Sequence, residues 1–302
     1  MAKRKMHPLT LRILIEIGVL VTALIVILVM IGNVWASIGG EDQGKEEETP
    51  VQTEPEDTTP PDTTPEETLP ADATPEEVMA FFMEKNGLTQ ADYPEAVLEC
   101  YKKSATLYGE HFEAQDFLLN YPLRYGVTQP VDISGTDRTT VPLFVQWDDR
   151  WGYLDYGKSV CGISGCGPTS LSMVAYYLTG DAKYTPAYMM EFATEGKHVG
   201  ANGGTNWSLF NQGAVDLGFH VEELPAVESR VARRLEAGIP VVVNVKEGKF
   251  TTGGHYMVLV GYEDGKFRIN DPNCREYSSR LWDWDEFVGD VKNFWAISLP
   301  QE

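Results

Sequence analysis

Residues 41–77 carry fourteen acidic side chains against one lysine, with prolines at 50, 55, 60, 61, 65, 70 and 75. Like charges repel along such a stretch, and too few apolar groups remain to offset the entropy of ordering it. It reads as an extended, disordered linker. Whatever packs into a core must lie to one side of it. The linker also holds thirteen of the chain's 21 net negative charges, so the acidic balance says little about what the rest of the chain binds. No basic stripe is present, which argues against nucleic acid as a partner.

On the N-terminal side, Lys3, Arg4, Lys5 and Arg12 precede an apolar run over 13–31 in which only Glu16 is charged. A run of that length crosses a bilayer as a helix. Basic residues before it and acids after it put 1–12 inside and the remainder outside. Residues 13–35 are therefore expected to anchor the chain. The alternative is a cleaved signal peptide, since Val34-Trp35-Ala36 loosely resembles a small-residue cleavage site.

Beyond the linker, 78–127 has a helical texture. Thr74-Pro75-Glu76-Glu77 resembles an N-cap followed by proline and acids in the first turn, ahead of Val78, Phe81 and Phe82. A second helix is expected over 93–108, with Ala96, Val97, Tyr101 and Ala105 on one face. A third is expected over 113–119, broken by Tyr121-Pro122. These helices form a small module that packs on the next domain, or else a propeptide-like lid.

After Val127 the pattern becomes mixed α and β. Helices are expected over 168–178, with Leu171, Val174, Ala175 and Leu178 on one stripe, over 209–217 before Gly218, and over 227–237 before Gly238. Strands are expected over 241–245, 255–262, 267–270 and 293–299, all rich in β-branched and aromatic residues. Cysteines at 100, 161, 166 and 274 are too few for a disulfide scaffold. One bridge is open to a chain outside the cell; one that consumed Cys166 would abolish any chemistry of its thiol, whereas Cys161 and Cys274 could pair without it.

Cys166, in Gly165-Cys166-Gly167-Pro168-Thr169-Ser170, opens the 168–178 helix. A helix N-terminus favours a thiolate through the positive end of the macrodipole, and the flanking glycines let a substrate backbone come close. His255 is the best placed of the five histidines to act as its base. Asp271, after the next strand, would hold the imidazole's tautomer. Each residue alone has a bland reading: a buried core cysteine, a satisfied strand-end histidine, an Asp-Pro turn. In this order and context the three together point to catalysis. Cys161 and Cys166 have no matching second pair for zinc, and neither a metal nor an organic cofactor is required.

These segments, with Gln146-Trp147-Asp148-Asp149-Arg150-Trp151, Gly204-Thr205-Asn206-Trp207, Gly253-Gly254-His255-Tyr256 and Asn270-Asp271-Pro272, resemble the double-glycine leader peptidase-like group, family 39 of the papain-like cysteine peptidases. The resemblance covers about residues 140–300. It implies a papain-like α+β fold, with a helical part carrying the nucleophile and an antiparallel sheet carrying His and Asp. It also implies Cys166 as nucleophile, His255 as general base and acid, Asp271 as its orienter and Gln146 as the oxyanion-hole glutamine. Here an insertion containing Trp151, Tyr153 and Tyr156 separates Gln146 from the cysteine, so Gln146-Trp147 is open to a second reading as a packing motif. Leader peptidases are domains of peptide exporters, whereas this chain has one anchor and no P-loop.

The expected function is that of a membrane-anchored extracellular cysteine peptidase, on a bacterial cell surface, acting on a peptide or protein substrate. The alternatives are a cell-wall amidase or acyl transferase using the same triad, and a non-catalytic peptide-binding module. The hairpin between the last two site strands supplies a geometric expectation. A two-residue turn at Asp264-Gly265 would set Asp271 opposite Val258 and away from His255. A three-residue turn with Gly265 left-handed in a bulge sets it opposite Met257, diagonal to His255 on one face. Catalysis selects the second.

Overall fold

Valine fills four of the five positions in 241–245, which leaves no polar face for solvent and calls for cover on both sides. The computed structural model describes residues 69–300 apart from Ala71, and places that segment inside a sheet. Strands β1 (His220–Leu224), β2 (Val241–Val245), β3 (His255–Glu263), β4 (Lys266–Asn270), β5 (Leu281–Trp282) and β6 (Val291–Ser298) run in the order β1-β6-β2-β3-β4-β5. Every neighbouring pair is antiparallel. Side chains alternate between two cores. Val242, Val258, Trp295 and Ile297 face one, shared with helices that include Leu171 and Met189. Val241, Val243, Met257 and Phe294 face the other, shared with Val231 and Leu235.

The helices follow their caps. Helix α1 (Pro75–Asn86) starts at a capping box in which Thr74 Oγ1 accepts from the Glu77 N–H and Glu77 accepts from the Thr74 N–H. It therefore begins inside the segment expected to end the linker at 77, ahead of the expected module boundary at 78. Helices α2 (Glu95–Tyr108) and α3 (Gln115–Leu119) complete the module. Tyr121-Pro122 does not break the chain there: Tyr121–Arg124 forms one more helical turn, because proline fits a first turn. Helices α4 (Cys166–Thr179) and α6 (Glu228–Glu236) pack on the sheet, and α5 (Pro186–Glu195) packs on α4. The expected 209–217 helix is split into a π turn, Leu209–Gly213, and a short α turn, Ala214–Asp216.

The module packs on the α/β part through a core of its own. Val97, Tyr101, Phe117 and Leu118 share it with Tyr153, Val160 and Cys274. Phe117 stacks on Tyr153 with ring centroids 4.3 Å apart. Its ring lies so close to the backbone that a Cβ on Gly162 would stand 2.3 Å from it, and one on Gly152 2.7 Å. The described residues accordingly belong to one compact unit. The expected N-terminus at 1–12, the anchor at 13–35 and the linker up to residue 68 lie outside the described residues. Among the described residues no helix is long and apolar enough to cross a membrane.

Candidate active site

Cys166 is the first residue of α4 and is half-buried. Gly167 follows because the 204–207 loop lies against it: a Cβ there would stand 2.5 Å from Thr205 Oγ1. Thr205 is held in turn by two buried tyrosines. Tyr156 Oη and Thr205 Oγ1 are 2.8 Å apart, and Tyr256 donates to the Thr205 carbonyl at 2.9 Å. Trp207 of the same loop donates to Asn244 Oδ1 at 3.0 Å, and Asn244 donates to the His255 carbonyl at 3.0 Å. One polar chain thus joins the loop beside the thiol to the backbone of the imidazole.

His255 opens β3 and is buried, and Asp271, just past β4, is fully buried. His255 Nε2 lies 2.7 Å from Asp271 Oδ1. Nδ1 is the ring nitrogen not engaged by Asp271, and Cys166 is close enough to interact electrostatically with the imidazole. Burial alone would push the imidazole's pKa down. The Asp271 charge and hydrogen bond, with a smaller contribution from Cys166, overcome it and raise the pKa to about 10.

The hairpin achieves this contact by a route other than the expected one. Its turn is the two-residue one: Glu263 pairs with Lys266, and Asp264 and Gly265 both have positive φ, 52° and 79°, as a type I′ turn requires. The bulge lies further along, where Gly261 pairs with Arg268 but Leu259 pairs with Ile269, leaving Val260 over. Val258 then pairs with Asn270, which carries Asp271 opposite Met257 and onto the face of His255. The expected register is reached with the extra residue at Val260 and not in the turn.

Gln146 is buried, and its N–H donates to the Pro272 carbonyl at 2.7 Å. Its side-chain Nε2 donates to the Gly162 carbonyl at 2.9 Å. It is thus tied both to the turn after Asp271 and to the segment before Cys166. Trp147 holds the same turn. Trp147 Nε1 donates to the Asn273 carbonyl at 3.0 Å while Arg275 lies over the Trp147 ring. Asp148 accepts a forked pair of bonds from Arg150.

Other site neighbours were not read from the sequence. The Asn273 N–H donates to Asp271 Oδ1 at 2.8 Å, and its side chain donates to Tyr108 Oη at 2.8 Å. Tyr108, at the end of α2, donates onward to the Phe250 carbonyl at 3.1 Å. Glu113, between α2 and α3, accepts from the Glu276 N–H at 2.9 Å and lies 3.6 Å from the Cys274 thiol. The helical module therefore grips the loop that carries Asp271. Asn273 was within reach of a reading of Asn270-Asp271-Pro272-Asn273 as an Asx turn; Tyr108, 165 residues from Asn273, had no local signal.

The remaining candidates are placed elsewhere. All four cysteines are free. Cys161 is fully buried in the core of the α4 side and Cys274 in the module's core, so the Cys161–Cys274 pairing is not formed. His198 Nδ1 lies 2.9 Å from Ser208 Oγ, and His111 pairs with Glu276. Among the described residues no cluster of three His, Cys, Asp or Glu side chains could hold a metal ion.

The α+β fold and these motifs coincide with a known family. The model of the peptidase C39-like family matches residues 138–299, and the chain belongs to that family. No curated protein matches it significantly. Two solved structures are similar in part. The peptidase domain of Streptococcus ComA, a bifunctional ABC transporter involved in a quorum-sensing pathway, is 21% identical, covering 53% of this chain and 99% of that one, with a TM-score of 0.37. A protein described as a C39-like peptidase from Bacillus anthracis is 19% identical, covering 58% and 100%, with a TM-score of 0.33. Family membership rests on the 138–299 segment and not on these partial superpositions.

Proposed function

We propose that this chain is a cysteine peptidase in which Cys166, His255 and Asp271 act as a triad on peptide bonds. The observation that carries the reading is the buried His255–Asp271 pair at 2.7 Å, with Cys166 close enough to interact electrostatically with the imidazole. The Cys166 sulfur adds to the scissile carbonyl carbon. The imidazolium of His255 passes its proton to the leaving amine as the C–N bond breaks, leaving a thioester. Water, giving a proton to the same imidazole, then releases the acid and restores the thiol. Asp271 holds the ring and balances its charge. The carbonyl oxygen meets the Cys166 N–H, one of the unpaired donors of the α4 N-terminus. Gln146 would add its second side-chain N–H, the first being held by Gly162.

The same proposal places the catalytic part outside the cell, anchored by 13–35 and spaced from the membrane by the acidic segment that precedes Thr74. Protease added to intact cells should release it by cutting within 41–73; protection until lysis would contradict that orientation. For the chemistry, a peptide library should be cleaved by the wild type, and Cys166→Ala should lower turnover on the order of 10³-fold or more. Full turnover by Cys166→Ala would end the peptidase reading.

A further inference from the structure

Helix α2 shows its two faces to different partners. Val97, Tyr101 and Tyr108 point into the module's core. Ala96, Glu99, Cys100 and Lys103 recur at three- and four-residue steps, which stacks them on another face. That second stripe walls a groove of about 320 Å³. The opposite wall includes Lys158, Ser164 and the Thr251 to Gly253 segment. Ser164 is two residues before Cys166, and Gly253 is two residues before His255. The groove is therefore flanked by the segments that lead into both reacting side chains. Its α2 wall precedes the 138–299 segment matched by the family model.

The groove's charges are unequal in their commitments. Glu99 and Lys103 hold each other at 3.2 Å. Lys158 is exposed and has no ion pair among the described residues. Its backbone is fixed by a close crossing of two glycines with positive φ: a Cβ on Gly157 would stand 2.0 Å from the Gly203 carbonyl oxygen, and one on Gly203 would stand 3.0 Å from Lys158 N. A rigidly based cation thus faces a groove otherwise lined largely by small and hydroxyl side chains.

We propose that α2 is the outer wall of a substrate subsite, and that this subsite takes an extended peptide whose Asp or Glu carboxylate meets Lys158. For turnover this rests on the peptidase reading above; for binding it does not. Two arms keep the questions apart. In the binding arm, the full chain carrying Cys166→Ala, in detergent micelles, is titrated with fluorescent peptides that differ only by Glu or Gln at one position. The Glu peptide should bind roughly three- to fivefold more tightly at low salt, the size of one exposed ion pair, and the gap should close as salt rises. Lys158→Glu should reverse the order, and Cys100→Trp, which fills the groove from the α2 side, should weaken both peptides.

In the turnover arm, the wild type should prefer an acidic residue at one position of a peptide library, and Lys158→Glu should move that preference to Lys or Arg. Equal binding of Glu and Gln peptides at every position, or a preference that Lys158→Glu leaves unchanged, would overturn the proposal. A wild type that binds with the predicted charge selectivity but cleaves nothing would keep the subsite and remove the peptidase reading.

Discussion

At the scale of single residues, the pairing of a buried imidazole with a buried carboxylate makes a prediction with a definite sign. His255 is held in the folded chain at a pKa of about 10, against about 6.5 for a free histidine. Below about 6.5 both folded and unfolded chains carry the proton, so the pair's stabilisation is fully present. As pH rises towards about 10 the native state loses that proton and the stabilisation with it. Urea midpoints should therefore fall across this window in the wild type, and Asp271→Asn should flatten the fall. The same variant should lower kcat/KM by about 10²-fold or more and move its alkaline limb towards neutrality. An unmoved limb would remove Asp271 from the mechanism. Tyr108 acts one step further out, through Asn273. Tyr108→Phe should cost about 1–3 kcal/mol of stability, because it leaves buried polar partners unpaired. It should also depress kcat with little change in KM; equal shifts in both would mean that it only holds the fold.

At the scale of elements, the β3–β4 hairpin decides whether the site exists. Val260 is the surplus residue of its bulge, so deleting Val260 should remove the bulge while keeping Val258 opposite Asn270 and Asp271 on the His255 face. Hydrolysis within about tenfold of wild type is expected. A folded deletion variant without activity would contradict the register account. This hairpin also marks how far the sequence could be read. The need for an odd residue followed from period-2 alternation and from the requirement that His255 and Asp271 meet. Its position did not, because Val258-Leu259-Val260 is apolar throughout and carries no alternation to locate a bulge. The 241–245 strand and α4 were legible as elements from their β-branched run and helical spacing, although residues 167–176 of α4 are buried on every face and not on one stripe alone. Strand β1, His-Val-Glu-Glu-Leu, was not read, since an edge strand with exposed acids resembles a loop. Helix α5 had a usable signal, Thr185 before Pro186, and Thr185 Oγ1 does accept from the Tyr188 N–H. Among the site residues, Cys166, His255 and Asp271 sit in recognisable local contexts. Tyr108 and Asn244 reach the site only through tertiary contacts.

At the scale of the whole molecule, the helical module and the α/β part share a core, and the module grips the loop carrying Asp271. Phe117→Ala should cost about 3–5 kcal/mol, and the loss should appear in one cooperative unfolding transition, read by far-UV and near-UV signals together. Two separated transitions would show that the module is an independent appendage. The most direct measurement of the central claim is covalent. The full chain is treated with a peptide bearing a thiol-reactive electrophile at its scissile carbonyl, and the adduct is mapped by mass spectrometry. A single adduct on Cys166 is predicted, forming on the order of 10²-fold more slowly in His255→Ala. An adduct on Cys100 instead, or an unchanged rate in His255→Ala, would contradict the triad.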